Sequence, residues 1–135
     1  LIIVDGMMKR MEMLKNMPEL RKKLWDNVNK LQAGLKERGF DIGQTNSPVT
    51  HIYMTGDVPE ATQMVMDLRE NYHIFCSIVV YPVIPKGDII YRIIPTAAHS
   101  DEDIERTLKA FEQTKKKLDA GAYKAEKIPD MAEKV

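Results

Sequence analysis

The segment Ile89–Ile94 constrains the fold of this chain more than any other part of the sequence. In an extended conformation Arg92 shares one face with Ile90 and Ile94, and the opposite face is also apolar. A strand that is apolar on both faces is typical of the inside of a sheet. The segment is therefore predicted to be an inner strand, with one charged residue that needs an explanation.

The rest of the chain alternates between helical and extended patterns. Apolar residues recur at helical spacing in four segments, which are predicted to be helices. They are a short helix over about residues 6–15, a long one from Pro18 to Gly39, one capped by Asp57 and Glu60, and a final one capped by Ser100. Further strands are predicted over Val49–Met54 and Ile74–Val80, and the second of these is expected to be buried.

The predicted order is helix, helix, strand, helix, strand, strand, helix. This order indicates an α+β fold, with a small, mostly antiparallel sheet of three to four strands and helices packed on one face. After Gly121 the apolar pattern fades into a polar tail.

Composition excludes several classes of protein. Twenty Lys and Arg balance twenty Asp and Glu, which argues against nucleic acid or an anionic membrane as a partner. The sequence contains no apolar stretch long enough for an integral membrane segment. The single cysteine, Cys76, is predicted to be a buried, reduced thiol of a cytoplasmic protein. His51 and His73 lack a second ligand at metal spacing, so no metal site is expected.

Arg92 requires an anionic partner if it lies inside the fold, because burying an uncompensated guanidinium costs several kcal/mol. An internal carboxylate would supply that partner, or Arg92 could open toward a cleft and bind the carboxylate of a ligand through its two parallel N–H donors. Spacing alone favours the structural ion pair or an arginine at the strand end.

The second candidate is the loop before this strand. It consists of Tyr81, Pro82, Val83, Ile84, Pro85, Lys86 and Gly87. Two prolines stiffen it and the glycine permits a tight turn, so a simple hairpin connection is one interpretation. The other is a rigid loop at the mouth of a cleft, with Lys86 available to an anion. No nucleophile–base set, paired carboxylates or cofactor lysine motif stands out, so no catalytic residue is predicted.

Several of these features together resemble a known family. They are Ser47-Pro48-Val49-Thr50, the helix near Pro59, the loop 81–87, Arg92 and the run from Ala97 to Ile104. Their order is similar to that of the C-terminal small domain of the α-oxoamine synthases, from about Met7 to Leu118. These pyridoxal-phosphate enzymes of the aspartate-aminotransferase (type I) fold include glycine C-acetyltransferase, 8-amino-7-oxononanoate synthase and serine palmitoyltransferase.

The resemblance implies an activity for the parent protein. Family members condense an amino acid, here expected to be glycine or serine, with an acyl-CoA and release CO2 and CoA. Arg92 matches the arginine that binds the α-carboxylate of the amino acid. The loop 81–87 matches the one near the acyl-CoA entrance. Pyridoxal phosphate and a homodimer are expected for the full-length enzyme.

The resemblance also divides the chain. Residues 1–17 are expected to be a connecting helix from a missing large domain, 18–120 the small domain and 121–135 a polar tail. The family's Schiff-base lysine belongs to the large domain, so this chain alone is expected to bind no cofactor and to be inactive. The alternative is a free-standing α+β regulatory module that binds a small acid through Arg92, and the length of the native reading frame separates the two.

Overall fold

The computed structural model describes residues 2–124, and most of the predicted tail over residues 121–135 lies outside them. Four helices and three strands follow one another in the predicted order within this part. They are α1 (Ile2–Asn16), α2 (Pro18–Glu37), β1 (Thr50–Thr55), α3 (Val58–Tyr72), β2 (Ser77–Val79), β3 (Asp88–Ile93) and α4 (Asp101–Asp119). The predicted α+β fold is confirmed.

The described strands form one antiparallel sheet in the order β1-β3-β2. Strand β3 lies between the other two, which confirms that the segment around Arg92 is an inner strand. β2 and β3 are consecutive and form a hairpin, whereas β1 reaches β3 only after the chain has passed through α3 and β2.

The helices cover one face of this sheet. Ile89, Tyr91 and Ile93 of β3 are between 0% and 6% exposed, and they belong to a core to which α2, α3 and α4 also contribute. The helical members of that core are Leu31, Leu35, Ala61, Met64, Leu68, Ile104, Leu108, Ala110 and Phe111. Ile90 is half-buried and Arg92 is exposed. The opposite face of the sheet, called the open face below, is therefore uncovered by the described residues.

The prediction of a buried strand over Ile74–Val80 is wrong in two respects. Only Ser77–Val79 is a strand, and it lies at the edge of the sheet with its side chains half-buried. Ile74 and Cys76 are buried, but Phe75 between them is 79% exposed. The apolar run alternates between the core and the open face, and apolar composition alone does not reveal that one face is uncovered.

Helices α3 and α4 both begin at reciprocal N-terminal caps, and the sequence pattern predicts both helix starts. The Asp57 side chain accepts a hydrogen bond from the Glu60 backbone N–H at 2.9 Å, and the Glu60 carboxylate accepts one from the Asp57 N–H. Ser100 and Asp103 repeat this arrangement at the start of α4. Each cap satisfies backbone donors that a helix N-terminus otherwise leaves without partners. The predicted starts of α3 and α4 are confirmed.

Helix α1 stands apart from this core. None of its residues is buried, and its apolar side chains, among them Met7, Met11 and Leu14, are at least half exposed. No helix within residues 2–124 has both the length and the apolar character needed to cross a bilayer. The packed part of the described chain therefore begins with α2.

A polar cluster joins the end of α4 to α3. Asp67 on α3 accepts hydrogen bonds from Lys117 Nζ at 2.7 Å, from Asn71 Nδ2 at 2.6 Å and from the Tyr123 hydroxyl. Burial disfavours the charged carboxylate, but these donors outweigh that cost and hold the pKa of Asp67 below its ordinary value. The cluster fixes the turn after α4 against α3.

The two faces of β3 predict different responses to truncation. Ile89→Ala removes a side chain that is 1% exposed, so we expect it to lower the free energy of unfolding by about 2–5 kcal/mol. Its neighbour Ile90 is half-buried on the open face, and Ile90→Ala is the matched control with an expected loss of about 1 kcal/mol. Urea denaturation of the chain of residues 1–135 measures both. Equal losses would contradict a sheet covered on one face.

Candidate functional site

A row of polar side chains crosses the open face of the sheet. The strand register places His51 of β1 and Ser77 of β2 directly opposite Arg92 of β3. Residues that lie opposite one another in antiparallel strands project to the same face, with Cβ atoms about 4.5–5.5 Å apart. His51, Arg92 and Ser77 therefore form one row, called the polar row below, with the arginine in the middle.

Arg92 is held in this row from one side. Its Nε donates a hydrogen bond to Ser77 Oγ at 3.2 Å. The two terminal nitrogens, Nη1 and Nη2, form no hydrogen bond within residues 2–124. A guanidinium oriented in this way presents free N–H donors toward the open face, where a planar carboxylate can accept two of them.

The structural ion pair favoured by spacing is absent from the described part of the chain. Arg92 pairs with no carboxylate there, although other arginines such as Arg38 and Arg106 do. Arg92 is the second-last residue of β3 and its side chain is exposed. The uncovered face removes the burial cost that would have required an internal partner.

An apolar row lies next to the polar row. Ile90 of β3 is flanked by Tyr53 of β1 and Val79 of β2, on the same face as Arg92. Tyr53 is 44% exposed, and Ile90 and Val79 are half-buried. The open face thus changes from polar to apolar along β3, from the end that carries Arg92 toward the end at Asp88.

The loop of residues 81–87 lies at that apolar end. It is a hairpin connection between β2 and β3, closed by hydrogen bonds from Val83 N–H to Val80 O and from Asp88 N–H to Pro85 O, and the Tyr81–Pro82 peptide bond is cis. Gly87 has a φ of 98°, a conformation that favours glycine. The loop and Arg92 do not meet: five residues of strand at about 3.4 Å each separate Gly87 from Arg92 by roughly 17 Å.

A cavity of about 620 Å³ opens beside the loop. Ile84 and Pro85 of the loop line it together with Tyr53 and Ile90 of the apolar row, and Lys115 of α4 also lines it. This volume lies in the range of small-molecule sites, which are about 300–1,000 Å³. The predicted loop is therefore adjacent to a cavity, and its Lys86 side chain is exposed.

The positions of the lysines bear on how this part of the chain could contact pyridoxal phosphate. That cofactor requires a lysine for its Schiff base and an acidic or basic partner for the ring nitrogen. The lysines of residues 2–124 lie on helices, in loop 81–87 and in the final turn, and none lies on a strand beside Arg92. What this part of the chain offers chemically is a row with free hydrogen-bond donors, an apolar row and a cavity.

The remaining reactive side chains within residues 2–124 include one thiol, which is buried. Cys76 is a buried free thiol, and burial raises its pKa to about 11, so it stays protonated at neutral pH. No cluster of three or more His, Cys, Asp and Glu side chains in this range is arranged to hold a metal ion.

The sequence singles out Arg92 and the loop as candidates, whereas His51 and Ser77 join the polar row only in the structure. In the sequence His51 is a histidine without a second ligand at metal spacing, and Ser77 lies within the predicted strand Ile74–Val80. The signal that finds them is the pairing register, because it places two residues separated by 41 and 15 positions from Arg92 next to it. Without the order and direction of the strands, this register cannot be read from the sequence.

Comparison with protein families identifies the chain's relatives. The sequence model of the family described as aminotransferase class I and II matches residues 2–111. A cysteate-C-fatty acyltransferase of Capnocytophaga ochracea is 63% identical over 125 residues, which are 93% of this chain and 30% of that protein. An 8-amino-7-oxononanoate synthase of Petrotoga mobilis is 41% identical over 100 residues, which are 74% of this chain and 25% of that protein. The chain thus spans less than a third of the length of these curated relatives.

Solved structures of similar fold come from the same kinds of enzyme. A serine palmitoyltransferase of Sphingomonas wittichii superimposes with a TM-score of 0.66 and 27% identity, over 77% of this chain and 26% of that one. An 8-amino-7-oxononanoate synthase of Francisella tularensis has a TM-score of 0.69 at 19% identity, over 82% of this chain and 32% of that one, and this likeness shows the fold alone.

Arg92 is exposed and forms no ion pair within residues 2–124, so we expect its side chain to contribute little to the free energy of unfolding. Arg92→Ala should change the free energy of unfolding by less than about 0.5 kcal/mol, as is usual for exposed positions. Arg38 is the control because its guanidinium donates to Gly34 O at 3.1 Å and to the Glu105 carboxylate at 3.0 Å. We expect Arg38→Ala to cost about 1–2 kcal/mol in the same urea titration. A larger loss for Arg92→Ala than for Arg38→Ala would assign Arg92 a structural role instead.

Proposed function

This chain belongs to the class I and II aminotransferase family, in which its relatives are α-oxoamine synthases, and we propose that it is the C-terminal small domain of a longer acyltransferase that depends on pyridoxal phosphate. The names of the relatives support an acyltransferase, and their greater length supports a parent with further domains. The observation that carries the proposal is Arg92, whose free Nη groups lie in the polar row of an uncovered sheet face.

In the proposed reaction an amino acid condenses with an acyl-CoA. A carbon–carbon bond forms between the amino acid's Cα and the acyl carbonyl carbon, and the thioester C–S bond breaks to release CoA. The bond between Cα and the carboxylate breaks to release CO2, and one proton is taken up overall, so that CoA leaves as the thiol. Bound pyridoxal phosphate stabilises the electron pair at Cα. The contribution of this chain is to bind and orient the substrate before the carboxylate is lost.

Arg92 performs that orientation in the proposal. Its two terminal nitrogens bind the α-carboxylate in a bidentate manner, while Ser77 keeps the guanidinium plane fixed through Nε. A carboxylate held in this way is placed in one orientation, which lowers the entropic cost of reaching the reactive geometry. Ser77 is thus a positioning residue.

The apolar part of the open face suits the other substrate. Tyr53 and Ile90 lead from the polar row toward the cavity beside residues 81–87, and the loop contributes Ile84 and Pro85 to its wall. We assign this end of the sheet to the acyl-CoA entrance. The exposed Lys86 is available to a phosphate of CoA.

The amino acid in this proposal is cysteate. The relative with 63% identity over 93% of the chain is named for cysteate, whereas the 8-amino-7-oxononanoate synthase is 41% identical over a shorter match. Cysteate replaces glycine and serine, the substrates expected from the sequence, as the first candidate, and serine remains the comparison substrate for the tests below.

The proposal also covers the cofactor lysine, the oligomeric state and the location of the parent protein. The lysine that bonds pyridoxal phosphate lies in the rest of the protein, and the parent is a homodimer. The chain alone is inactive in this proposal. Helix α1, with its exposed apolar side chains, is the connection to the large domain, and covering these side chains there would remove them from water. The free, buried Cys76 fits a cytoplasmic location.

The role of Arg92 predicts a specific kinetic defect in the full-length enzyme. Arg92→Ala should raise the KM for the amino acid, or lower kcat/KM for it, about 100-fold, because two charge-assisted hydrogen bonds to the carboxylate are lost. The KM for the acyl-CoA should change less than about threefold. Steady-state kinetics with each substrate varied in turn measures both effects.

The control is Arg69→Ala, which removes an arginine that is 63% exposed on α3, away from the open face. We expect it to behave as the wild type. An Arg92→Ala enzyme with unchanged amino-acid kinetics would refute the carboxylate-binding role.

A further inference from the structure

We propose that His51 and Arg92 form a two-part anion subsite that recognises an amino acid with a second acidic group on its side chain. Arg92 binds the α-carboxylate, and His51 donates a hydrogen bond to the second acid, a sulfonate in cysteate. This inference rests on the proposed function and extends it to a residue that determines which amino acid is used.

His51 is placed next to Arg92 on the open face. It lies directly opposite Arg92 in the β1–β3 register, so the two side chains emerge from the same face as nearest cross-strand neighbours. In cysteate the carboxyl carbon and the sulfur are attached to adjacent carbons. Two acidic groups that close together require two donors that are neighbours, and a directly opposed pair on one sheet face supplies them.

The polar row is asymmetric, because within residues 2–124 Arg92 forms a hydrogen bond on its β2 side and none on its β1 side. Ser77, on the other side of Arg92, already accepts a hydrogen bond from Nε at 3.2 Å, and its oxygen is directed at the guanidinium. The side of the row toward β1 carries no such contact within residues 2–124. A second acidic group beside a carboxylate bound to the Nη atoms is therefore expected on the His51 side.

The His51 side chain is restrained by a neighbouring ring. His51 is half-buried, and its ring lies 6.5 Å from the ring of Tyr53, the next residue on the same face of β1, with the planes inclined at 52°. This neighbour limits the positions of the imidazole. A donor restrained before the substrate arrives loses less conformational freedom on binding than a free one.

The chemistry of the ligand fits this donor. A sulfonate is a permanent anion with three acceptor oxygens and no donor, and an imidazole offers at least one N–H in either protonation state. Among the described residues, the acidic side chain of β3 on this face is Asp88, four residues from Arg92 and at the opposite end of the strand. The polar row therefore contains donors without a carboxylate that would repel a second anion.

The test compares two amino acids in the full-length enzyme loaded with pyridoxal phosphate. His51→Ala removes the donor, whereas His51→Gln keeps an N–H donor on a side chain of similar reach. His73→Asn is the matched control: His73 is exposed at the end of α3, with a φ of 57° that asparagine tolerates. The measurements are kcat/KM for L-cysteate and L-serine, and the Kd of each amino acid by calorimetry without acyl-CoA.

We expect His51→Ala to lower kcat/KM and weaken binding for cysteate about 10- to 100-fold, the value of one hydrogen bond to a charged group. Both quantities should change less than about threefold for serine. His51→Gln should recover part of the loss, and His73→Asn should match the wild type. This difference between the substrates separates recognition from a structural role, which would affect both amino acids.

Three results would overturn the subsite. One is an equal loss for cysteate and serine in His51→Ala and in His51→Gln, and another is no loss for cysteate in His51→Ala. The third is a wild-type enzyme that uses serine or glycine but neither binds nor uses cysteate, which leaves the acyltransferase proposal intact. A wild-type enzyme without acyltransferase activity toward any of these amino acids would contradict the proposed function itself, and the subsite with it.

Discussion

The packing of helices against only one face of the sheet determines the rest of this structure. Ile89, Tyr91 and Ile93 project into the core shared with α2, α3 and α4, so the alternation of a strand directs Ile90 and Arg92 the other way. Since nothing in the described chain covers that side, a charged residue can occupy an inner strand without the free-energy cost of removing its charge from water. The same asymmetry leaves a surface on which side chains from three strands meet, and that surface is the candidate site.

Within this surface the hydrogen bond between Arg92 and Ser77 turns an exposed arginine into an oriented one. An arginine free in solvent samples many rotamers, and fixing it costs entropy when a ligand binds. The bond from Nε to Ser77 Oγ fixes one edge of the guanidinium and leaves the terminal nitrogens for an anion. The change from polar to apolar side chains along β3 then gives the face two chemically different ends, which suits the two substrates of the proposed reaction.

The sequence predicted the elements better than it predicted their environment. Helix starts were readable because Asp57 and Ser100 act through local hydrogen bonds, which depend on residues three positions away. The inner position of β3 was readable from its apolar residues, but the surroundings of Arg92 were not. Whether a strand face is covered depends on helices distant in sequence, and for the same reason the prediction of a buried strand over Ile74–Val80 is wrong. His51 and Ser77 were missed because their proximity to Arg92 is a property of strand register.

In the proposed function the open face binds the α-carboxylate of the amino acid through Arg92. A crystal structure of the full-length protein with the amino-acid substrate bound tests it most directly. We expect both α-carboxylate oxygens at about 2.7–2.9 Å from the Nη atoms of Arg92, the distance of charge-assisted hydrogen bonds. We also expect Nε to remain bonded to Ser77. An α-carboxylate bound by other residues, with Arg92 directed away from it, would show that Arg92 does not bind the substrate.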